Sequence, residues 1–290
     1  MTSNRSKKRF RKRYVALSIF MVYLVMCQSC MKMRMSPNKT KSFFEKAKTN
    51  FISEKFSISE HDIHYIQTGE NDKPTLVFIH GSPGSWDAFK EYLKDSLLLK
   101  KYRMIAIDRP GFGYSNFGQA EDLQTQSKRI NAFLKTKDNK QPVILIGHSM
   151  GGPVITEMTT LAPDKYKTLV IIAGSIDPDA EKPENWRKVI KTKPIRYLIP
   201  GAMRPANDEL WLLKQDLKDL KPLLKNIKSE ILIIHGTKDQ LVPYSNVGFI
   251  QKEFVNAKSM DLISIKDANH FIPWTHFETI RDALLNIKLE

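Results

Sequence analysis

Short apolar runs rich in β-branched residues recur along the chain, at 63–67, 75–79, 104–107, 143–146, 169–173, 231–234 and 260–265. Several are apolar at consecutive positions rather than alternating, which is how strands buried on both faces of a parallel sheet read. Helix-length segments separate them, at 86–99, 123–135, 150–161, 244–254 and 273–287. Strand and helix in alternation predict an α/β fold, a doubly wound and mostly parallel central sheet with helices on both faces. An earlier run, 56–67, is broken only at Glu60, His61 and Asp62 and predicts an antiparallel hairpin leading into the parallel part. Successive later strand starts lie 26–39 residues apart, apart from one step of 62 between Leu169 and Ile231. That excess predicts an insertion at about 175–228, with helices at 184–191 and 208–217. It is too short to be an independent domain and reads as a small helical cap over one edge of the sheet.

The start of the chain follows a different pattern. The first thirteen residues are polar and basic, and an apolar run of 12 residues follows at 15–26, interrupted only by Ser18. A basic segment followed by roughly 7–15 apolar residues is the outline of a secretory signal, and the run is short beside the ~20 residues of a spanning helix. The basic side stays cytoplasmic, so the body is expected to be exported to the cell envelope and held at a membrane. Cys27-Gln28-Ser29-Cys30 closes the run. It resembles a bacterial lipoprotein signal, cut before a cysteine that then carries lipid. Cys30, preceded by the small Ser29, is the expected attachment residue. Cys27, with Leu24 three places before it, is the other candidate, and an uncleaved signal anchor is the remaining alternative. The chain thus divides into a signal or anchor (1–29), a tether with a short helix near 41–48 (30–55) and the folded domain with its cap (56–290).

Charge sharpens this division. The 290 residues carry 46 Lys plus Arg against 31 Asp plus Glu, a formal net charge of +15. Eleven of those bases, and no acid, fall within residues 1–44, leaving 35 bases against 31 acids in the rest. The surplus therefore belongs to the appendage, and a nucleic-acid partner for the folded domain is not indicated. Both cysteines also lie in the appendage, so the domain has no internal disulfide and no thiolate metal site. No metal or cofactor is implied.

The chemistry begins at Gly147-His148-Ser149-Met150-Gly151, a G-x-S-x-G between a buried strand and a helix. In that context the turn is so sharp that the serine takes a strained conformation and its hydroxyl stands above the C-terminal edge of the sheet. A serine hydroxyl needs a base to take its proton. Of the seven histidines, His270 is the candidate, in a loop after the last strand and before the last helix. His148 sits beside the nucleophile and is expected to point elsewhere. His80 and His235 end strands just before glycine, where backbone shape is the expected role, and His276 is expected on the surface of the last helix. Asp239, after the strand at 231–234, is the acid that would orient the imidazole, with Asp177 as fallback. The backbone N–H groups of Met150 and of Ser82, in the loop after the strand at 75–79, are the candidate oxyanion donors.

At this point the residues resemble the α/β-hydrolase superfamily across about 56–290, through HGSPGS at 80–85, DRPGFGYS at 108–115, GHSMGG at 147–152, HGTKDQLVP at 235–243 and NHF at 269–271. The resemblance implies a serine hydrolase with the chain order Ser149, Asp239, His270, acting on a small ester-like molecule. It also implies that Asp108, Arg109, Pro110 and Gly111 form a structural turn. Relatives with an aspartate nucleophile, the haloalkane dehalogenases and epoxide hydrolases, differ at Ser149. The prolyl aminopeptidase group, which favours HGGPG, differs at Ser82. Hydrolysis of a carbon–carbon bond in a diketone with the same triad, or a catalytically silent, membrane-tethered binding protein, are the alternatives. The cap carries Arg187, Lys188, Lys191, Lys193 and Arg196, which read as a solvated charged face or as a face for anionic lipid. Met203, Leu210, Trp211 and Leu212 read as an acyl pocket or as cap-to-core packing.

Overall fold

The computed structural model describes residues 3–29, 31–58, 61–182 and 184–289. The chain opens with α1 (Ser3–Ser29) and α2 (Pro37–Lys46), and a hairpin of β1 (Phe51–Ile58) and β2 (His61–Thr68) leads into β3 (Thr75–Ile79). A 3-10 turn at Trp86–Phe89 precedes α3 (Lys90–Leu93) and α4 (Ser96–Lys101). Then come β4 (Arg103–Ile107), α5 (Leu123–Thr136), β5 (Val143–His148), α6 (Gly151–Leu161) and β6 (Thr168–Ile172). The insertion holds α7 (Trp186–Lys191), a 3-10 turn at Ile195–Leu198, and α8 (Met203–Leu220). After it follow β7 (Glu230–Gly236), α9 (Ser245–Glu253), β8 (Ser259–Ile265), α10 (Ile272–Thr275) and α11 (Phe277–Leu285).

The eight strands form one sheet in the order β1-β2-β4-β3-β5-β6-β7-β8. Only the β1–β2 and β2–β4 pairs are antiparallel. Each later strand lies within two residues of its expected bounds, and in β3 to β7 consecutive apolar positions have no solvated alternative. Odd and even positions of these strands face opposite ways. Val77, Ile79, Ile105, Ile107, Leu145 and Ile171 pack with Ile130 and Phe133 of α5 and Val154 and Met158 of α6. Leu76, Phe78, Met104, Ile144, Ile146 and Val170 pack on the other face with Phe44, Trp86, Tyr92 and Leu284.

Two expected helices are broken. The segment at 86–99 restarts at Asp95, whose carboxylate caps α4 by accepting from the Leu97 and Leu98 amides at 3.0 and 2.9 Å. The last helix divides at His276. Conversely, α8 starts at Met203 rather than 208, because Pro205 falls in its first turn, where it displaces no helical hydrogen bond.

The cap does more than cover an edge. Leu213, Leu217 and Leu220 of α8 belong to the core cluster on the α5 side, and Leu210 packs against that cluster while Met203 stays exposed. Asp216 on α8 accepts a hydrogen bond from the Leu123 amide at the start of α5, at 3.0 Å. Burial pushes its carboxyl up to about 6, the Leu123 amide partly offsets this, and Asp122, Asp219 and Glu157 add repulsion. A carboxyl raised above its ordinary value of 3.8 stabilises the fold while protonated and costs stability as pH rises through about 6. Asp216→Asn keeps the acceptor and removes the charge. It is expected to raise the melting temperature at pH 8 and leave it nearly unchanged near pH 4, as read by thermal unfolding. Equal melting temperatures at pH 8 would refute this assignment.

Candidate active site

The site is assembled where β3, β5, β7 and β8 end along one edge of the sheet. Ser149 stands between β5 and α6 with φ +54°, a left-handed conformation that a residue with a Cβ adopts only under constraint. Close packing supplies the constraint. A Cβ on Gly151 would lie 2.1 Å from the Ile79 carbonyl oxygen, and one on Gly147 would lie 2.3 Å from the Gly151 oxygen. The Ser149 amide is meanwhile tied to the Ile172 carbonyl at 3.0 Å. The turn that carries Ser149 is thus wedged between the ends of β3 and β6.

Asp239 and His270 meet. His270 Nδ1 lies 2.7 Å from Asp239 Oδ2, and both residues are buried. The other carboxylate oxygen accepts from the Leu241 and Val242 amides at 2.9 and 2.8 Å. Burial pushes this carboxyl up, but the hydrogen bonds from His270 and those amides outweigh it, so the net shift is downward. An ionised carboxylate can only accept, so Nδ1 carries the proton and Nε2 is left with its lone pair. Gly236 lets the two loops approach, since a Cβ there would lie 2.4 Å from the Ala268 oxygen.

His148 links this pair to the turn that carries Ser149. Its Nε2 is 3.1 Å from the His270 carbonyl oxygen, and the two rings lie 4.8 Å apart. Burial, with His270 beside it, holds His148 down to about 3, so the ring stays neutral and donates from Nε2. The loop after β3 closes the other side. A Cβ on Gly81 would lie 2.9 Å from that of Ser149, which brings the loop carrying Ser82 against the Ser149 turn. The Ser82 hydroxyl is buried and has no hydrogen-bond partner among the described residues. Met150 leads into α6, with its own side chain buried.

Other expectations fare differently. Asp177 receives the side chain of Asn246 at its amide, 2.8 Å away, and is not the partner of His270. His80 and His235 do more than shape backbone. His80 Nε2 accepts from the Arg109 amide at 3.0 Å, and His235 Nε2 lies 3.0 Å from the Val242 carbonyl, bracing the loop that carries Asp239. His276 is half-buried between the last two helices. Cys30 lies outside the described residues, while Cys27 is buried. Among the described residues no group of three His, Cys, Asp or Glu side chains is placed to hold a metal ion.

The DRPG turn is structural, as the motif implies, and also reaches the site. Asp108 accepts from the Trp86 and Tyr114 amides at 2.7 and 2.8 Å and pairs with His64 at 2.7 Å. Ser53 lies 3.1 Å from the far nitrogen of His64. This second hydroxyl–imidazole–carboxylate chain starts on the exposed edge strand β1, and the carboxylate is shared with two amides, so it pins the hairpin to the turn. Arg109 is fully buried. It donates to the His80 and Gly81 carbonyls at 2.9 and 3.1 Å, to Gln126, and to both oxygens of Glu209 on α8 at 2.7 and 2.9 Å. Sequence reasoning missed Glu209, for it lies 100 residues from its partner and in no motif. Glu209→Ala leaves a buried guanidinium unpaired, so it is expected to destabilise the protein by about 3–5 kcal/mol. Urea unfolding measures this; a loss under about 1 kcal/mol would place the pair in the class of exposed bridges.

Residues 74–197 match the family described as the alpha/beta hydrolase fold. The chain is 24% identical over 266 residues to the uncharacterized hydrolase YugF of Bacillus subtilis, covering 79% of this chain and 95% of that protein. It is likewise 24% identical over 284 residues to the 2-hydroxy-6-oxononadienedioate/2-hydroxy-6-oxononatrienedioate hydrolase of Escherichia coli, covering 83% and 96%. Among solved structures, a membrane phospholipase A described as a bacterial virulence factor superposes with a TM-score of 0.62 at 19% identity, over 99% of this chain and 100% of that one. E-2-(acetamidomethylene)succinate hydrolase superposes with 0.65 at 18% identity, over 82% and 98%. The motifs, the sheet order and these relatives agree: the chain has the α/β-hydrolase fold and is an enzyme similar to hydrolases over most of its length.

Proposed function

We propose that the protein is a serine hydrolase of carboxylic esters, or of thioesters or amides, acting through Ser149, Asp239 and His270. The observation that carries this reading is the 2.7 Å contact between His270 and the buried Asp239, beside a serine held at φ +54°. Ser149 Oγ attacks the carbonyl carbon while His270 Nε2 takes its proton. The amides of Met150 and Ser82 hold the oxyanion. Collapse of the tetrahedral intermediate breaks the bond to the leaving group, which His270 protonates, and leaves an acyl ester on Ser149. Water, deprotonated by His270, then releases the acid. Asp239 stays ionised throughout and stabilises the imidazolium.

A second reading, hydrolysis of a carbon–carbon bond in a diketone, is favoured by the likeness to the Escherichia coli hydrolase over most of both chains. Ser149→Ala is expected to lower turnover of a short-chain nitrophenyl ester by roughly 10⁴-fold or more and to abolish labelling by a fluorophosphonate probe. Undiminished activity in that variant overturns the assignment. Turnover of a vinylogous diketone in preference to an ester series selects the second reading.

We further propose that the N-terminal segment tethers the enzyme to a membrane of the cell envelope, through lipid on Cys30 after cleavage or as a retained helix. No described helix is long and apolar enough to cross a membrane. From Tyr14 to Met26, however, α1 is apolar nearly all round, and almost every side chain is exposed, a surface that water does not favour. Contacts favour the retained form. Tyr23 and Gln28 donate to the Leu198 and Tyr197 carbonyls, both at 2.8 Å, and Cys27 is buried against Leu198. Intact mass of the purified chain is expected to include residues 2–29; a chain beginning at a lipid-modified Cys30 would establish the cleaved form instead.

A further inference from the structure

The outer face of the cap has a composition that neither catalysis nor core packing uses. Trp186, Val189, Ile195 and Tyr197 are exposed by 50, 56, 37 and 43%. Between Glu184 and Asp208 the chain has six bases and no acid. Three of the six are engaged: Arg187 with Glu184, Arg196 with Asp208, and Arg204 with Gln28. The other three, Lys188, Lys191 and Lys193, are exposed. Apolar and aromatic side chains interleaved with free lysines are the chemistry of a surface seated among anionic lipid headgroups. The same lysines would repel one another across a face shared by two copies of the chain.

Position strengthens this. The end of α1 is bonded to the cap through Leu198 and Tyr197, and the Gly201 and Ala202 amides donate to the Cys27 and Met31 carbonyls, both at 2.9 Å. The exposed apolar surface of α1 therefore continues, through exposed Met31 and Met33, into that of the cap. From the cap a short chain of contacts leads to the nucleophile. Asn207 of α8 donates to the Arg187 carbonyl of α7 at 3.1 Å, Glu209 grips Arg109, and Arg109 holds the Gly81 carbonyl beside Ser149.

We propose that the cap face at 186–197 rests on the anionic headgroup surface of the bilayer that holds α1, and that the enzyme takes an amphiphilic acyl ester from that bilayer. The proposal builds on the tethered-hydrolase reading above, so it is tested with one readout that needs no turnover. Full-length Ser149→Ala is reconstituted into phosphatidylcholine vesicles containing phosphatidylglycerol, and tryptophan fluorescence is quenched with brominated lipid. A large part of the quenching is expected to disappear in the Trp186→Phe derivative. Quenching unchanged by that substitution, whether water or a second copy covers the face, overturns the docking.

The second readout uses the active full-length chain and compares nitrophenyl palmitate dissolved in vesicles with nitrophenyl acetate in water. Lys188→Glu, Lys191→Glu and Lys193→Glu together are expected to cut palmitate turnover at least about tenfold on the anionic vesicles. They are expected to leave acetate turnover, and palmitate turnover on pure phosphatidylcholine, nearly unchanged. Equal palmitate turnover by variant and parent on anionic vesicles, or equal loss on both esters, overturns the substrate route. Absence of ester turnover in the parent chain defeats the hydrolase reading alone, because the quenching result stands without it.

Discussion

A guanidinium without water must find an acceptor for every proton it carries, and Arg109 does. Its five N–H donors reach the His80 carbonyl, the Gly81 carbonyl, Gln126 and both oxygens of Glu209. The acceptors lie on three different parts of the fold. The two carbonyls are the backbone of the loop beside Ser149, Gln126 lies on α5, and Glu209 lies on the insertion. The arginine itself sits in the turn after β4, which Asp108 clamps to Trp86 and Tyr114. Removing water from one charge thereby couples the cap, the loop after β3 and the central sheet. The cost of burying such a pair is large; its use here is geometric, since none of the four elements can shift without leaving a donor unpaired.

The histidines around the site follow the same logic. Burial holds His80, His148 and His235 below their ordinary value. A neutral ring offers one donor and one acceptor, and each of these rings turns one nitrogen to backbone: His80 Nε2 to the Arg109 amide, His148 Nε2 to the His270 carbonyl, His235 Nε2 to the Val242 carbonyl. Three neutral imidazoles thus brace the loops of a fourth. The fourth, His270, turns its Nδ1 to Asp239 at 2.7 Å and keeps Nε2 free of that bond.

How much of this was legible follows from where each residue lies. Ser149, Asp239 and His270 each follow a buried strand, and in a parallel sheet all strand ends of one sense share an edge. The meeting of Asp239 with His270 at that edge is therefore readable from strand order and motif alone. The fold was readable for the same reason: consecutive apolar residues at β3 to β7 leave little choice but a sheet covered on both faces. The supporting network was not readable. Glu209 has no motif, and its role exists only once α8 folds back over the loop after β3. His80 and His235 occupy positions where a strand ends before glycine, which local pattern explains without any side-chain role. Asp95 and His276 divide helices whose apolar spacing runs on through them. In each case a tertiary contact or a cap decides, and periodicity is blind to both.

The surplus of positive charge gains meaning from the same geometry. As a total, +15 suggests a polyanion partner for the whole protein. Its distribution puts most of the surplus in the appendage, and the fold then brings the end of that appendage against the cap. There the bases divide by what faces them. Arg187 and Arg196 pair within the cap and hold it together, and Arg204 ties it to Gln28 of α1. Lys188, Lys191 and Lys193 are left outward beside exposed aromatic and aliphatic side chains. A charge that built the cap would be engaged within it; a charge left free next to apolar surface has its partner elsewhere. On the proposed reading that partner is the bilayer already carrying α1, so the segment that delivers the enzyme also orients it. The link from that orientation to chemistry is Glu209, through which the cap holds Arg109 and, with it, the loop beside Ser149.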